Sequence, residues 1–230
     1  MIAVSQIATP VKPSPALFAA PLFKPQAEFS ELERTAVRMT VGRDQTLFFE
    51  DDPARYGYKL VTGALRSCKL LADGRRHIAD FILPGDLIGF DIDDTHRFTA
   101  EAVIDTMLLR YPRAAIERLI EQQATVALSL MRRLSGKLCD AQRQLLLLGR
   151  KTAAERLASF LIIMAERCGD PDRVSLPMTR LDIADHLGLT IETVSRGFSQ
   201  LKSQKVIELK GSNIVLLRDR ESLEDLAQAA

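Results

Sequence analysis

Residues Arg180–Leu209 read RLDIADHLGLTIETVSRGFSQLKSQKVIEL. Thr179 stands just before this stretch and Asp182 three residues after Thr179, the spacing of a capping box, so a short helix is expected over RLDIADHL. Gly188 follows it and can take a turn that a Cβ would hinder. Ala184 is small where a crossing helix must come close. Thr190 offers an N-cap to a second helix. Two helices joined by so tight a turn make a helix-turn-helix.

The second helix has two distinct faces. With Val194 set at zero and about 100° per residue, Phe198 falls at about 40° and Leu201 at about −20°, a stripe to be buried. On the same wheel Glu192 falls at about 160°, Arg196 at about 200° and Ser199 at about 140°, facing away from it. Such a pair can be an ordinary surface Glu-Arg contact, worth about 0.2–0.5 kcal/mol. The flanks favour another use. VIELKGSNIVLL follows, two short strands turning at GSN, and a hairpin beside a helix-turn-helix reads as a wing. That set lays the first turns of the second helix in a DNA major groove. There Arg196 can donate two bonds to guanine, and Glu192 can accept from a cytosine or adenine amino group. Thr190, Thr193, Ser195 and Ser199 are short donors suited to phosphate or base edges. Lys202, Lys205 and Lys210 are candidate backbone contacts, or simply solvated surface.

Upstream, TAAERLASFLIIMAERCG reads as a helix stopped by Gly169, and RVSLPMT as the loop that leads on to the helix-turn-helix. Before it, PRAAIERLIEQQATVALSLMRRLSGKLCDAQRQLLLLGRK opens with Pro112, which suits a helix start. Ile120, Ala124, Ala127, Met131, Leu134, Leu138, Ala141, Leu145 and Leu148 recur in alternating steps of four and three, an unbroken heptad. The pattern predicts one long helix that pairs with a second copy of itself in a parallel two-fold dimer. The alternative is a long helix packed only within its own chain. Gly136 lies outside the seam.

Residues 40–110 change character: TLFFE, YGYKLVTG, ALRSCKLL, RRHIADFIL, DLIGF, FTAEAVI and TMLLRY are short runs separated by turn residues. Six or seven short strands at this spacing predict a small barrel or roll. FSELERTAVRM can form a helix begun by Ser30 with Glu33 three residues on. The first 26 residues hold five prolines and read as a loose arm. The expected organisation is α+β: an arm over 1–27, a β-roll over 28–111, a dimerisation helix over 112–149 and a winged helix-turn-helix over 150–230.

Bulk properties exclude little. The chain has 230 residues, net charge +1, 47% hydrophobic and 27% charged residues, values of a folded domain that builds its core without staples. Three distant cysteines, Cys68, Cys139 and Cys168, form neither a disulfide framework nor a metal site. The start MIAVSQIATPVKPSP lacks the basic and apolar parts of an export signal, so a cytoplasmic protein with reduced thiols is expected. No apolar run is long enough to span a membrane. His77, His96 and His186 have no partner at ligand spacing, and His186 is expected at the solvated surface. No GxSxG, P-loop or HExxH pattern occurs, so no enzymatic chemistry and no cofactor are expected.

With LPGDLIGFD, AAERLASFL, MTRLDIADHLGLTIETVSR and KGSNIVL in place, residues 28 to 227 resemble the superfamily of the cyclic-AMP receptor and the fumarate-nitrate-reductase regulator. LGLTIETVSR is closest to the oxygen-responsive branch, and to its nitrogen-fixation members. The resemblance implies a homodimeric transcription activator of low-oxygen or nitrogen-fixation genes. Residues matching Glu192, Ser195 and Arg196 would read a TTGAT half-site repeated as a palindrome, and Ile191 would tune preference. Exposed loops would contact RNA polymerase. FDIDDTHR, Phe90–Arg97, is a candidate patch for that, or a plain acidic turn.

Departures from the family narrow this. Cluster-bearing members carry cysteines near the N-terminus and one in the barrel. Residues 1–67 here contain none, and the barrel position is Leu109, too few thiolates for an iron–sulfur cluster. Cyclic-nucleotide binders carry a glutamate after GDxxG and an arginine before a Ser/Thr-Ala pair. Phe90 and Phe98 stand at those places, with Arg97 one residue out of register. An apolar pair cannot neutralise a buried phosphate, so no cyclic nucleotide is expected. Some relatives are inactivated by oxidation of a cysteine at the place of Thr179, which threonine cannot do. Arg167 beside Cys168 raises the separate expectation of a thiol made reactive by a cation.

Overall fold

The computed structural model describes residues 35–90, 93–211 and 213–228. Six strands form the roll: β1 (Val37–Val41), β2 (Thr46–Phe48), β3 (Tyr56–Leu70), β4 (Arg76–Ile82), β5 (Leu87–Ile88) and β6 (Thr99–Pro112). All pair antiparallel in the order β1-β6-β3-β4, with β2 on β6 and β5 on β3. Leu60, Leu65, Ala100, Ala102 and Leu108 are fully buried inside it, with Phe48, Tyr58 and Ile82 around them.

Two pairs of runs that the sequence separates are single strands. YGYKLVTG and ALRSCKLL join in β3, and FTAEAVI and TMLLRY in β6. The glycine read as a turn is a bulge instead. Gly63 has φ +97°, and the β3–β6 register shifts between Leu60 and Leu65. A Cβ at Gly63 would lie 2.4 Å from the Thr106 hydroxyl. That hydroxyl accepts from Ala64 N (3.2 Å) and donates to Ile104 O (2.7 Å), filling the gap the bulge opens.

The helix expected from FSELERTAVRM lies mostly outside the described residues, as does the arm. Its last part is not helical: Val37–Met39 belong to β1, paired with Arg110–Leu108. Sheet pairing there overrides a weak helical pattern.

The single long helix is two. Helix α1 (Arg113–Gln122) begins at Pro112 and α2 (Ala124–Arg150) follows a break at Gln123, which is extended at φ −132°, ψ 100°. Gln123 N–H closes α1 on Leu119 O, and its carbonyl accepts from Val126 N and Ala127 N to open α2. The break lets Ile116 and Leu119 of α1 and Val126 of α2 cover the end of the roll together with Tyr111. Ile120 packs there too and is therefore not part of the long helix, so the heptad on α2 starts at Ala124.

The C-terminal part holds α3 (Ala153–Cys168), β7 (Arg173–Ser175), α4 (Arg180–Leu187), α5 (Ile191–Ser203), β8 (Ile207–Lys210), β9 (Ile214–Leu217) and α6 (Arg220–Gln228). Thr152 and Glu155 form a reciprocal capping box on α3, and Gly169 ends it in the left-handed conformation. Arg173–Ser175, within the stretch read as a loop, is a third strand pairing with β9, so the wing is a three-stranded sheet in the order β7-β9-β8. Leu157, Leu161, Ile183, Leu187, Val194 and Ile207 lie in the core between these helices and the sheet.

Candidate nucleic-acid interface

The helix-turn-helix is built as its residues dictate. The Thr179 hydroxyl accepts from Asp182 N and the Asp182 carboxylate accepts from Thr179 N, the reciprocal cap of α4. Gly188 is left-handed at φ 61°, ψ 41°, and Leu189 N donates back to Ala184 O. Thr190 caps α5 by accepting from Thr193 N at 3.3 Å. Val194, Phe198 and Leu201 are buried at 0%, 2% and 4% exposure, as the helical wheel requires.

Two features of α5 were not read from sequence. A Cβ on Gly197 would stand 2.7 Å from Leu157 Cδ2, so this glycine lets α5 approach α3 closely. A glycine in mid-helix was the available signal. Arg180 lies over the Phe198 ring, 3.2 Å from its centroid, and burial pushes its pKa down to about 10. No local pattern announces that stacking, because the two residues meet only when α4 folds over α5.

The residues proposed for DNA contact fall on one side. Thr190, Ile191, Glu192, Ser195, Arg196 and Ser199 are exposed along α5, Thr193 is half-buried, and Lys202 and Lys210 are exposed at the helix end and on the wing. Hydrogen bonds from its own backbone N–H and the Thr190 hydroxyl, then the Arg196 charge, hold the Glu192 carboxyl below the usual range. It is a carboxylate acceptor at neutral pH. Arg196 Nε donates to Glu192 O at 3.4 Å, a long contact that leaves the fork of the guanidinium for an outside partner. Three of the short donors are already engaged. Ser199 Oγ donates to Ser195 O (3.0 Å), and the Thr190 and Thr193 hydroxyls share a bond of 3.1 Å. Lys205 takes φ 62° where α5 ends, a place that glycine would fill with less strain.

The proposed dimer residues form the outer stripe of α2. Met131, Leu134, Leu138 and Leu145 are 63%, 54%, 61% and 71% exposed, and Ala124 and Ala141 are exposed beside them. Ala127 is half-buried, and Leu148 packs partly against the core of the DNA-binding part. A second stripe, Val126, Ser129 and Leu147, faces the chain's own core. The helix thus has both an internal partner and an open apolar seam.

Two expectations need correction, and the acidic turn is placed. His186 is half-buried rather than at the solvated surface: its ring lies between Phe81 and Phe160, and its Nδ1–H donates to Ile78 O at 2.9 Å. Burial holds its pKa below the usual histidine value, despite that bond and Asp80. Arg167 does not activate Cys168. Burial raises the thiol, and Arg167 spends its donors on Asp80, Phe81 O and Asp86. In the acidic turn, Asp93 and Asp94 are exposed but His96 is buried on the Phe48 ring at 3.7 Å, and residues 91–92 lie outside the described set.

Residues 155–226 match the Crp-like helix-turn-helix domain, and residues 38–123 match the cyclic nucleotide-binding domain. The nitrogen fixation regulation protein FixK of Azorhizobium caulinodans is 44% identical over 189 residues, 80% of this chain and 76% of that protein. The chain belongs to the cyclic-AMP receptor and fumarate-nitrate-reductase regulator superfamily. The transcriptional activatory protein AadR of Rhodopseudomonas palustris is 39% identical to this regulator, over 88% of the chain and 86% of AadR. The structure of FixK2 from Bradyrhizobium japonicum superposes with a TM-score of 0.81 at 45% identity, covering 85% of this chain and 98% of that one. This regulator is a sequence-specific DNA-binding transcription factor, homodimeric through its long helix, and not an enzyme. Among the described residues no helix is long and apolar enough to cross a membrane, and no group of His, Cys, Asp and Glu could hold a metal ion.

Proposed function

We propose that this regulator reads a TTGAT-type half-site, repeated as a palindrome, and activates genes for low-oxygen growth or nitrogen fixation. Glu192 and Arg196 take base edges, with Ser195 between them and Ile191 offering an apolar contact to a thymine methyl. Thr190, Thr193 and Ser199 line the same surface, and Lys202 and Lys210 take phosphates. Ala124, Ala127, Met131, Leu134, Leu138, Ala141 and Leu145 form the seam that sets the two α5 helices about 34 Å apart, one turn of DNA. The functional division follows the roll, the helices after Tyr111 and the winged part after Gly149. Asp93 and Asp94 are offered to RNA polymerase.

The observation that carries this reading is the α5 surface. A carboxylate and a largely unengaged guanidinium stand exposed one turn apart, just after the N-cap, while the opposite face is buried.

The regulator does this without a cyclic nucleotide. A Cβ on Gly57 would lie 2.7 Å from the Phe90 ring and 2.9 Å from Ile116 Cδ1, so Phe90 fills the junction between roll and α1. The family's ribose-holding carboxylate is replaced there by packing.

Selection of bound sequences from a random duplex pool, with no added ligand, tests the whole reading. Enrichment of inverted TTGAT repeats is expected. Enrichment of non-palindromic sites, or none until a small molecule is added, would overturn it.

A further inference from the structure

Asp182 is 1% exposed, yet it belongs to two parts of the molecule. Its Oδ2 accepts from Thr179 N (3.0 Å) and Thr179 Oγ1 (2.8 Å), which starts α4. Its Oδ1 accepts from Arg66 Nη1 of β3 (3.2 Å) and Arg76 Nη2 of β4 (2.7 Å). Arg76 reaches on to Asp185, Nε at 2.9 Å and Nη2 at 2.8 Å, and Arg66 Nε is held by Glu101 of β6 at 2.8 Å. The Arg66 and Asp182 side chains are 11% and 2% exposed, so water screens this cluster far less than a surface pair.

A second tie runs from α3. Arg167 donates to Asp80 (2.9 Å), to Phe81 O (2.6 Å) and to Asp86 (2.6 Å). Between the two ties, His186 of α4 donates to Ile78 O. The chain itself passes from α2 to α3 through Lys151 and Thr152 alone. The winged part also shares an apolar core with the roll through Ile78 and Phe81, and Gln144 of α2 donates to His186 O at 3.0 Å. Apolar contacts tolerate sliding, so the directional polar ties fix the angle about this linker, and α5 follows it, since Ala184 and Gly188 hold α4 and α5 as one piece.

We propose that Arg66 and Arg76 are positioning residues for DNA recognition. Through Asp182 and Asp185 they set the angle at which each subunit presents α5, and so the spacing between half-sites that the dimer accepts. Neither arginine need touch DNA. Spacing selectivity then resides partly in the roll, in the place where relatives of this fold carry a sensor. The proposal rests on α5 as the DNA-reading helix.

The test uses the full-length dimer carrying Arg66→Met and Arg76→Met. Affinities are measured by fluorescence anisotropy for palindromes with the preferred spacer and with one base pair removed or added. The preference of the parent protein for its own spacer should fall by about tenfold or more, with a smaller loss on the preferred site itself. A preference that stays intact overturns the proposal, whether or not overall affinity drops, because general loosening weakens all spacers alike. Asp185→Asn removes one anchor without touching the cap, and covers the case in which the double variant does not fold. It should shift the same ratio in the same direction, and an unchanged ratio again overturns the proposal. Should the parent protein bind no palindrome at all, the assignment of α5 falls as well, and the two failures are told apart.

Discussion

Leu138→Ala probes the seam that makes two chains one reader. The Leu138 side chain is 61% exposed on α2. Burying a leucine fully is worth about 1.5–3 kcal/mol, so roughly 1–2 kcal/mol is still available to a partner. A two-fold interface uses the residue twice. Truncation to alanine removes most of it, about 2–3 kcal/mol per dimer, or about 30- to 150-fold in the dimer dissociation constant. The subunit's own fold should barely notice, since less than half of the side chain packs within the chain and alanine favours helix. Sedimentation equilibrium over a concentration series reads the constant, and thermal melting followed by circular dichroism reads the fold. Cys139→Ala, one residue outside the stripe and also exposed, is the control and should change the constant less than about twofold. An unchanged constant for Leu138→Ala, or an equal change in the control, would refute the assignment of this face to the dimer.

Arg196→Ala should cost about 1–3 kcal/mol on the selected site and flatten base preference, whereas Lys202→Ala should lower the salt slope of binding and leave preference alone; competition titrations at several salt concentrations separate the two. Gly197→Ala should lower stability by about 1 kcal/mol net, because crowding against Leu157 outweighs the gain in helix propensity, while Gly136→Ala, with nothing within 4 Å of its added Cβ, should raise it by about as much; denaturant melts give the sign. His186 is held below the usual histidine value, so the unfolded chain takes up its proton first and stability should fall as pH drops below about 6.5. His186→Gln should flatten that fall in urea melts between pH 7.5 and pH 5. The Asp80 and Arg167 charges that face the ring remain in the variant, with His77 beside them, and the lowered Asp80 carboxyl loses its own contribution only as pH falls through the carboxylate range and below. Mild peroxide should leave DNA affinity unchanged, with Cys139 modified before Cys168, whose thiol burial pushes up; mass spectrometry of peptides orders the two.

Motifs that act over a few residues were legible one by one. The caps at Thr179 and Thr190, the turn at Gly188, the buried stripe of α5 and the β8–β9 wing all depend on neighbours within about one or two helical turns, which a linear pattern records. Errors arose where a residue's role is set by something distant. Gly63 looked like a turn, but Thr106 and the β6 strand make it a bulge. Gln123 looked like mid-helix, but the end of the roll draws α1 and α2 to different angles. His186 looked like surface, because Ile78 and Phe81 are about a hundred residues away in the chain.

By itself, then, the order of residues determined a roll, a paired helix and a DNA-reading motif, and it set out which side chains of α5 point away from the core. Those properties follow from periodicity and capping, which are local. How the motif is held was decided only in three dimensions. The carboxylate of Asp182 starts a helix by a rule visible in sequence, but its second oxygen meets Arg66 and Arg76 only because the roll docks there. Burial makes that meeting matter, since a carboxylate removed from water needs its charge met, and the nearly buried Arg66 and the partly exposed Arg76 meet it.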